Sequence, residues 1–199
     1  ICELPEDNVY DISKVTRDIL EENDIFEPPE TWERFQRDVI TIAEVEGSNT
    51  IQQPAAGIGT VGNMVRPTDL LVALMIQTGV QMVDEEAGFA TFHQSVRNED
   101  NYNAGLEALR FYTDFSDATK KVFTWNEDED PALEQFKQGR LAYFFGYNYN
   151  LPEIRNSKVD FGVAPIPRPR DAIGAVTVAN YWVETVSKKS QNTDQAGHF

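Results

Sequence analysis

The chain has 199 residues, 41% hydrophobic and 25% charged, long enough to bury a sizeable core and composed like an ordinary globular protein. Its 33 acidic residues against 17 basic ones give a formal net charge of −16, which repels a phosphate backbone and excludes nucleic acid as a partner. A lone cysteine, Cys2, rules out an internal disulfide or a CxxC site, and the longest apolar run, near Leu70 to Ile76, is far short of a bilayer span.

Residues 1–10 (ICELPEDNVY) carry neither the basic start nor the apolar run of an export signal, so such a signal is expected upstream. Thr16 to Asp24 and Thr31 to Glu44 are predicted helices, divided by Glu27-Pro28-Pro29-Glu30 because consecutive prolines forbid a continuous helix. In the second, Phe35, Val39 and Ile42 recur at helical spacing and mark an inward face, with Trp32 anchoring the first turn. Residues 47–66 hold four glycines, a proline and several amides but few charges, the composition of a shaped loop or short strand that can approach a ligand closely. Thr68 to Thr78 follows as a helix, with Pro67 ahead of it and Gly79 as its stop; being apolar almost all round, it is expected to be buried.

Asp100 to Phe115 is predicted helical, with Ala104, Ala108, Leu109, Phe111, Tyr112 and Phe115 on one broad inward face. Asp130 reads as the N-cap and Pro131 as the first residue of a two-turn helix that buries Leu133 and Phe136 and stops at Gly139. Leu141 to Phe145, Phe161 to Ile166 and Ala175 to Val186 are rich in apolar and β-branched residues and read as strands. Strands alternating with helices make an α/β fold.

Enzyme chemistry finds little to stand on. His93 and His198 lack metal-ligand spacing, and the acid run Asn126 to Asp130 lacks the glycine and closing glutamate of a calcium loop, so no metal is expected. Gly57-Ile58-Gly59-Thr60-Val61-Gly62 is followed by no Lys-Ser or Lys-Thr, which removes a phosphate loop, and no cofactor is expected. There is no GxSxG, and acids are too numerous for any two to be singled out as a hydrolase pair. Binding is better supported. Gly146-Tyr147-Asn148-Tyr149-Asn150 turns sharply off an apolar strand and carries two aromatics and two amides, which suits a sugar: rings take its C–H faces and amides its hydroxyls. Asn180-Tyr181-Trp182 repeats that chemistry.

Four stretches carry a resemblance in the right order: Thr16 to Leu20 with Pro28-Pro29-Glu30-Thr31-Trp32-Glu33-Arg34-Phe35, then Phe136 to Tyr143, Phe161 to Pro167, and Ser187 to Phe199. Through them the sequence resembles family 1 extracellular solute-binding proteins, the maltose-binding-protein-like group serving ABC importers. The resemblance implies a periplasmic-binding-protein-like fold of two α/β lobes, of which this chain supplies mainly the second with part of the first. Residues 1–9 are then a crossing segment, 10–160 the second lobe, and 161–199 a crossing strand with partial first lobe. Glu6 to Val15 (EDNVYDISKV) departs from the family, which has an apolar strand there.

By position, the resemblance puts Asn63 and Arg66 in the loop lining the second-lobe side of the cleft, Tyr147 in a loop that often bears a stacking aromatic, and Asn180 and Trp182 where the chain has returned to the first lobe. Tyr147, Tyr149 and Trp182 are the expected stacking residues and Asn63 and Asn148 the expected hydrogen-bond partners, while Trp125 reads more readily as core. The implied protein is not an enzyme. It is an extracellular or periplasmic binder of a small polar solute, a sugar or oligosaccharide, that delivers to ABC permease subunits and meets the membrane only through an N-terminal anchor. The rival readings are a carbohydrate-active hydrolase and a surface binding protein that kept the fold without transport.

Overall fold

The structure, a computed structural model, describes residues 9, 10, 12–94, 102–170, 178, 179, 185–192 and 195. Val9–Tyr10 (β1) and Ile12–Thr16 (β2) lead into helix Arg17–Glu22 (α1) and, past the two prolines, into Trp32–Ile42 (α2). A hairpin follows, Glu44–Glu46 (β3) and Thr50–Gln53 (β4), with Gly47 supplying the left-handed turn residue at φ 67°. Then come helix Pro67–Gln77 (α3), a second hairpin of Val83–Asp84 (β5) and Phe89–Ala90 (β6), and helices Ala104–Asp114 (α4) and Ala132–Lys137 (α5). Tyr143–Gly146 (β7), Leu151–Arg155 (α6), Phe161–Ala164 (β8) and Val178–Ala179 (β9) complete the order.

β2 is the middle strand of a three-stranded antiparallel sheet in the order β7-β2-β8, with Val15 opposite Tyr143 on one side and Gly162 on the other. Of the segment expected to depart from an apolar strand, Ile12 to Val15 is therefore strand all the same, held by pairing with β7 and β8. The loop after β4 lies along the free edge of β7: Ala56 bridges Tyr143 in parallel, and the Tyr143 N–H donates to the Ala55 carbonyl at 2.8 Å. Gly57 lets this loop close on α5, since a Cβ there would stand 2.8 Å from the Ala132 Cβ. β1 pairs antiparallel with β9, Val9 opposite Ala179.

Every residue of β7 is buried, and alternation sends its side chains to two helical layers. Tyr143 and Phe145 join the larger core with α2, α3 and α4, whereas Phe144 packs with Trp125, Phe136 and Ile154 on the α5 and α6 side. Phe35, with no exposed surface, is ringed by Trp32, Phe115, Tyr143 and Phe145 at 5.4 to 5.5 Å between ring centres. The Trp32 indole N–H donates to Gln77 Oε1 at 2.7 Å and so ties the start of α2 to the end of α3. The result is the expected α/β arrangement.

Several boundaries differ from expectation. Pro131, not Asp130, is the N-cap of α5, because its extended ψ of 131° places the first helical residue at Ala132. Leu109 is 41% exposed, so it is not part of the inward face, which Ala104, Ala108 and Tyr112 form. β8 stops at Ala164 ahead of Pro165, which has no N–H to donate. β8 belongs to the same sheet as β2, and Arg168 pairs back with Glu30 and Trp32. Of the strand expected over Ala175 to Val186, Val178–Ala179 forms and Thr185 and Val186 are irregular; the remainder, with residues 1–8 and His198, lies outside the described residues. Among the described residues no helix is long and apolar enough to cross a membrane.

Candidate functional site

The site starts where β7 ends. Gly146 carries no side chain because a Cβ would fall 2.7 Å from the Phe144 ring and 2.8 Å from Asn150 Oδ1. The chain can therefore fold back at once into a single 3-10 turn, Asn148–Asn150. Asn150 locks that turn: its Oδ1 accepts from the Tyr147 N–H at 3.0 Å, and its own N–H donates to the Tyr147 carbonyl at 3.0 Å. The motif thus divides its residues. Tyr147 and Asn150 turn inward, Asn148 is half-buried, and Tyr149 is 55% exposed.

Tyr149 lies face to face on Tyr147, ring centres 5.2 Å apart and planes 12° apart. Tyr147, expected as a stacking residue, is only 1% exposed and lies behind the exposed ring of Tyr149. Burial chiefly, and then the neighbouring Asp69 carboxylate, hold the Tyr147 phenol above its ordinary pKa, so it stays a hydrogen-bond donor.

The acceptor comes from α3. Arg66 occupies the left-handed region at φ 52° and ψ 54°, a conformation that costs a non-glycine residue free energy and occurs here just before Pro67. From there its Nε reaches Asp69 Oδ2 at 3.1 Å, one helical turn on, and its guanidinium stands 6.0 Å from the centre of the Tyr147 ring. The Tyr147 hydroxyl donates to the same Asp69 oxygen. Arg66, Asp69, Tyr147 and Tyr149 are one connected group.

Asn63 is not part of it. Its Oδ1 accepts from the Thr60 hydroxyl at 2.6 Å and the Trp125 indole at 3.0 Å, and its Nδ2 donates to the carbonyls of Asn126 and Glu129 at 2.8 and 2.9 Å. All four hydrogen-bonding positions of the amide are used within the chain. Asn63, expected as a hydrogen-bond partner for the solute, thus locks the glycine-rich loop to the segment ahead of α5. Trp125, with no exposed surface, is core. Asn180 and Trp182 lie outside the described residues. Sequence reasoning missed Asp69, although an acid three residues after Arg66, in the first turn of a helix, is the spacing at which such side chains meet.

Elsewhere, the acid run at 126–130 makes contacts within the chain: Glu127 Oε1 accepts from the backbone of Val61 and Gly62 in the glycine-rich loop, and Glu129 Oε2 from the Gln135 amide. Among the described residues no group of three or more potential ligands is placed to hold a metal. A groove of about 630 Å³ between α2, α3 and α4, lined by Trp32, Gln36, Leu74 and Phe111 among others, shares no residue with the Arg66 group.

A sequence profile of the bacterial extracellular solute-binding protein family matches residues 2–199. The chain belongs to that family. Solved structures of similar shape include an ABC transporter solute-binding protein from Thermotoga lettingae bound with α-D-tagatose, 19% identical with a TM-score of 0.59, where the match covers 96% of this chain and 47% of that one. The maltose/maltodextrin-binding domain MalE from Bdellovibrio bacteriovorus, bound to maltotriose, is 14% identical at a TM-score of 0.62, covering 83% and 39%. UgpB from Mycobacterium tuberculosis, in complex with glycerophosphocholine, is 17% identical at 0.60, covering 82% and 37%. The chain thus spans less than half the length of these proteins, and at such identities the likeness establishes the solute-binding-protein fold. No curated protein matches it. The family is one of extracellular binding proteins.

Proposed function

We propose that the chain is part of the solute-binding component of an ABC importer and that it captures a small polar solute, a sugar or oligosaccharide, between two lobes. The observation that carries this reading is the exposed Tyr149 ring, stacked on a buried Tyr147 and set beside the Arg66–Asp69 pair. A flat apolar face next to fixed donors and acceptors suits a pyranose, whose C–H groups stack while its hydroxyls need partners. The tagatose- and maltotriose-bound proteins of similar fold support the same class of solute.

In this reading the body built on β2, β7 and β8 is the second lobe, residues 1–9 and the chain after Arg168 cross toward the first, and Asn180 and Trp182 furnish the opposing wall. Asn148, beside Tyr149, is a hydrogen-bond partner for the solute. The protein performs no covalent chemistry: the lobes close on the solute, and the closed form docks on the permease, outside the cytoplasm and tethered by an N-terminal lipid anchor.

A thermal-shift screen of the full-length protein against mono- and oligosaccharides tests the proposal, since a ligand that binds only the native state raises its apparent stability. At least one neutral sugar is expected to raise the Tm in proportion to the logarithm of its concentration. A protein stabilised by other solutes and by no sugar contradicts the reading.

A further inference from the structure

We infer that Asp69 is the group at this site that discriminates between solutes, accepting a hydroxyl from an uncharged polyol and turning anionic solutes away. The inference rests on the reading of the Tyr149 surface as a solute site and adds what that surface selects.

The two oxygens of Asp69 are used unequally. Among the described residues, Oδ2 takes both internal partners, Arg66 Nε at 3.1 Å and the Tyr147 hydroxyl, whereas Oδ1 has only a long contact from the Thr68 hydroxyl at 3.5 Å. The Asp69 side chain keeps 22% of its surface exposed, so Oδ1 remains a charged acceptor with room for a strong donor. A sugar hydroxyl supplies that donor. A phosphate or carboxylate brings only acceptors and a like charge.

Arg66 does not offset this. Its guanidinium, with a side chain 48% exposed, is the one cation of the group and would by itself attract an anion, but Asp69 lies against it and cancels the charge. The neighbouring Asp69 holds the Arg66 pKa up, so the guanidinium keeps its charge against the carboxylate. The surroundings deepen the effect, since the chain carries −16 overall. Removing one negative charge from Asp69 therefore does two opposite things: it weakens recognition of a hydroxyl and frees the Arg66 charge for an anion.

The test uses the full-length protein, wild type and Asp69→Asn, titrated with maltotriose and separately with inorganic phosphate, following Tyr149 ring and Arg66 guanidinium resonances by NMR. For maltotriose, Asp69→Asn is expected to bind about tenfold more weakly, the loss typical of one hydrogen bond to a charged group. Phosphate is expected to leave both sets of resonances unmoved in the wild type and to shift them in Asp69→Asn, with the shift abolished on adding Arg66→Ala. Tyr147→Phe keeps the carboxylate and removes a hydroxyl that bonds to it, so it is expected to exclude phosphate as the wild type does. Phosphate shifts of equal size in wild type and Asp69→Asn, or in neither, overturn the inference, as does a Tyr147→Phe protein that admits phosphate like Asp69→Asn and so reduces Asp69 to a structural part. If maltotriose binds neither protein the sugar reading loses support, and the phosphate arm still decides the discrimination. Should Asp69→Asn fail to fold, Asp69→Ser replaces it in both arms.

Discussion

Tyr143 and Tyr147, four residues apart along the same stretch of chain, each end on a carboxylate that an arginine holds. The Tyr143 hydroxyl donates to Asp38 Oδ2 at 3.1 Å while Arg34 Nε pairs with Oδ1 at 2.8 Å; Tyr147 and Arg66 converge on a single oxygen, Oδ2, of Asp69. The Asp38 carboxylate is buried, at 3% exposed, whereas that of Asp69 opens to solvent. One arrangement thus serves stability in one place and presents a polar surface in the other.

That contrast is measurable by urea denaturation. Asp38→Ala strands a buried tyrosine hydroxyl and is expected to cost about 1 to 3 kcal/mol. Asp69→Ala takes the carboxylate acceptor from a Tyr147 that is only 1% exposed, but its other partner, the half-exposed Arg66, can turn to water, so a smaller loss of about 1 kcal/mol is expected.

The second expectation concerns alkaline pH. Burial, as the leading cause, raises the phenol pKa of Tyr112, Tyr143 and Tyr147 above the ordinary value of 10.0. The folded chain therefore holds these protons more tightly than the unfolded chain. Their contribution is complete below about pH 10 and is lost as the pH rises beyond it, because there the unfolded chain ionises first. Denaturation midpoints should be flat from neutral pH to about pH 9 and fall above about pH 10, with the fall reduced in Tyr112→Phe.

Much of this architecture could be read along the chain. α2 and α3 were legible because two prolines, an apolar face and a stop at Gly79, which takes φ 84°, agree with one another. β2 was less so, since EDNVYDISKV alternates poorly, and Ile12–Thr16 is held as a strand by hydrogen bonds from β7 and β8, neither of which is near it in sequence. The β5–β6 hairpin has two residues per strand, too few for an alternation to register, and is set by its turn, where Asp84 Oδ1 accepts from the N–H groups of Glu86 and Ala87. At the site the residue types were legible and their directions were not. Nothing in Gly-Tyr-Asn-Tyr-Asn says which tyrosine turns inward; that is decided by the carboxylate waiting on α3.

Asn63 supplies a third expectation. Asn63→Ala removes four hydrogen bonds and leaves the buried Trp125 indole N–H only the Thr60 hydroxyl at 3.1 Å, at a cost of about 2 to 3 kcal/mol. Its effect on solute affinity should be small once the protein is folded, because the amide has no capacity left to meet a solute. A large loss of affinity at undiminished stability speaks against the lock.

The account turns on the face of Tyr149, and calorimetry of sugar binding to full-length wild type and Tyr149→Ala tests it most directly, using the sugar that gives the largest thermal shift. Removing an exposed platform leaves the fold intact and takes away the stacking contact, so affinity should fall by about 1 kcal/mol or more, roughly fivefold, with the unfolding midpoint unchanged. Equal affinities in two equally stable proteins would mean that the solute does not meet this surface.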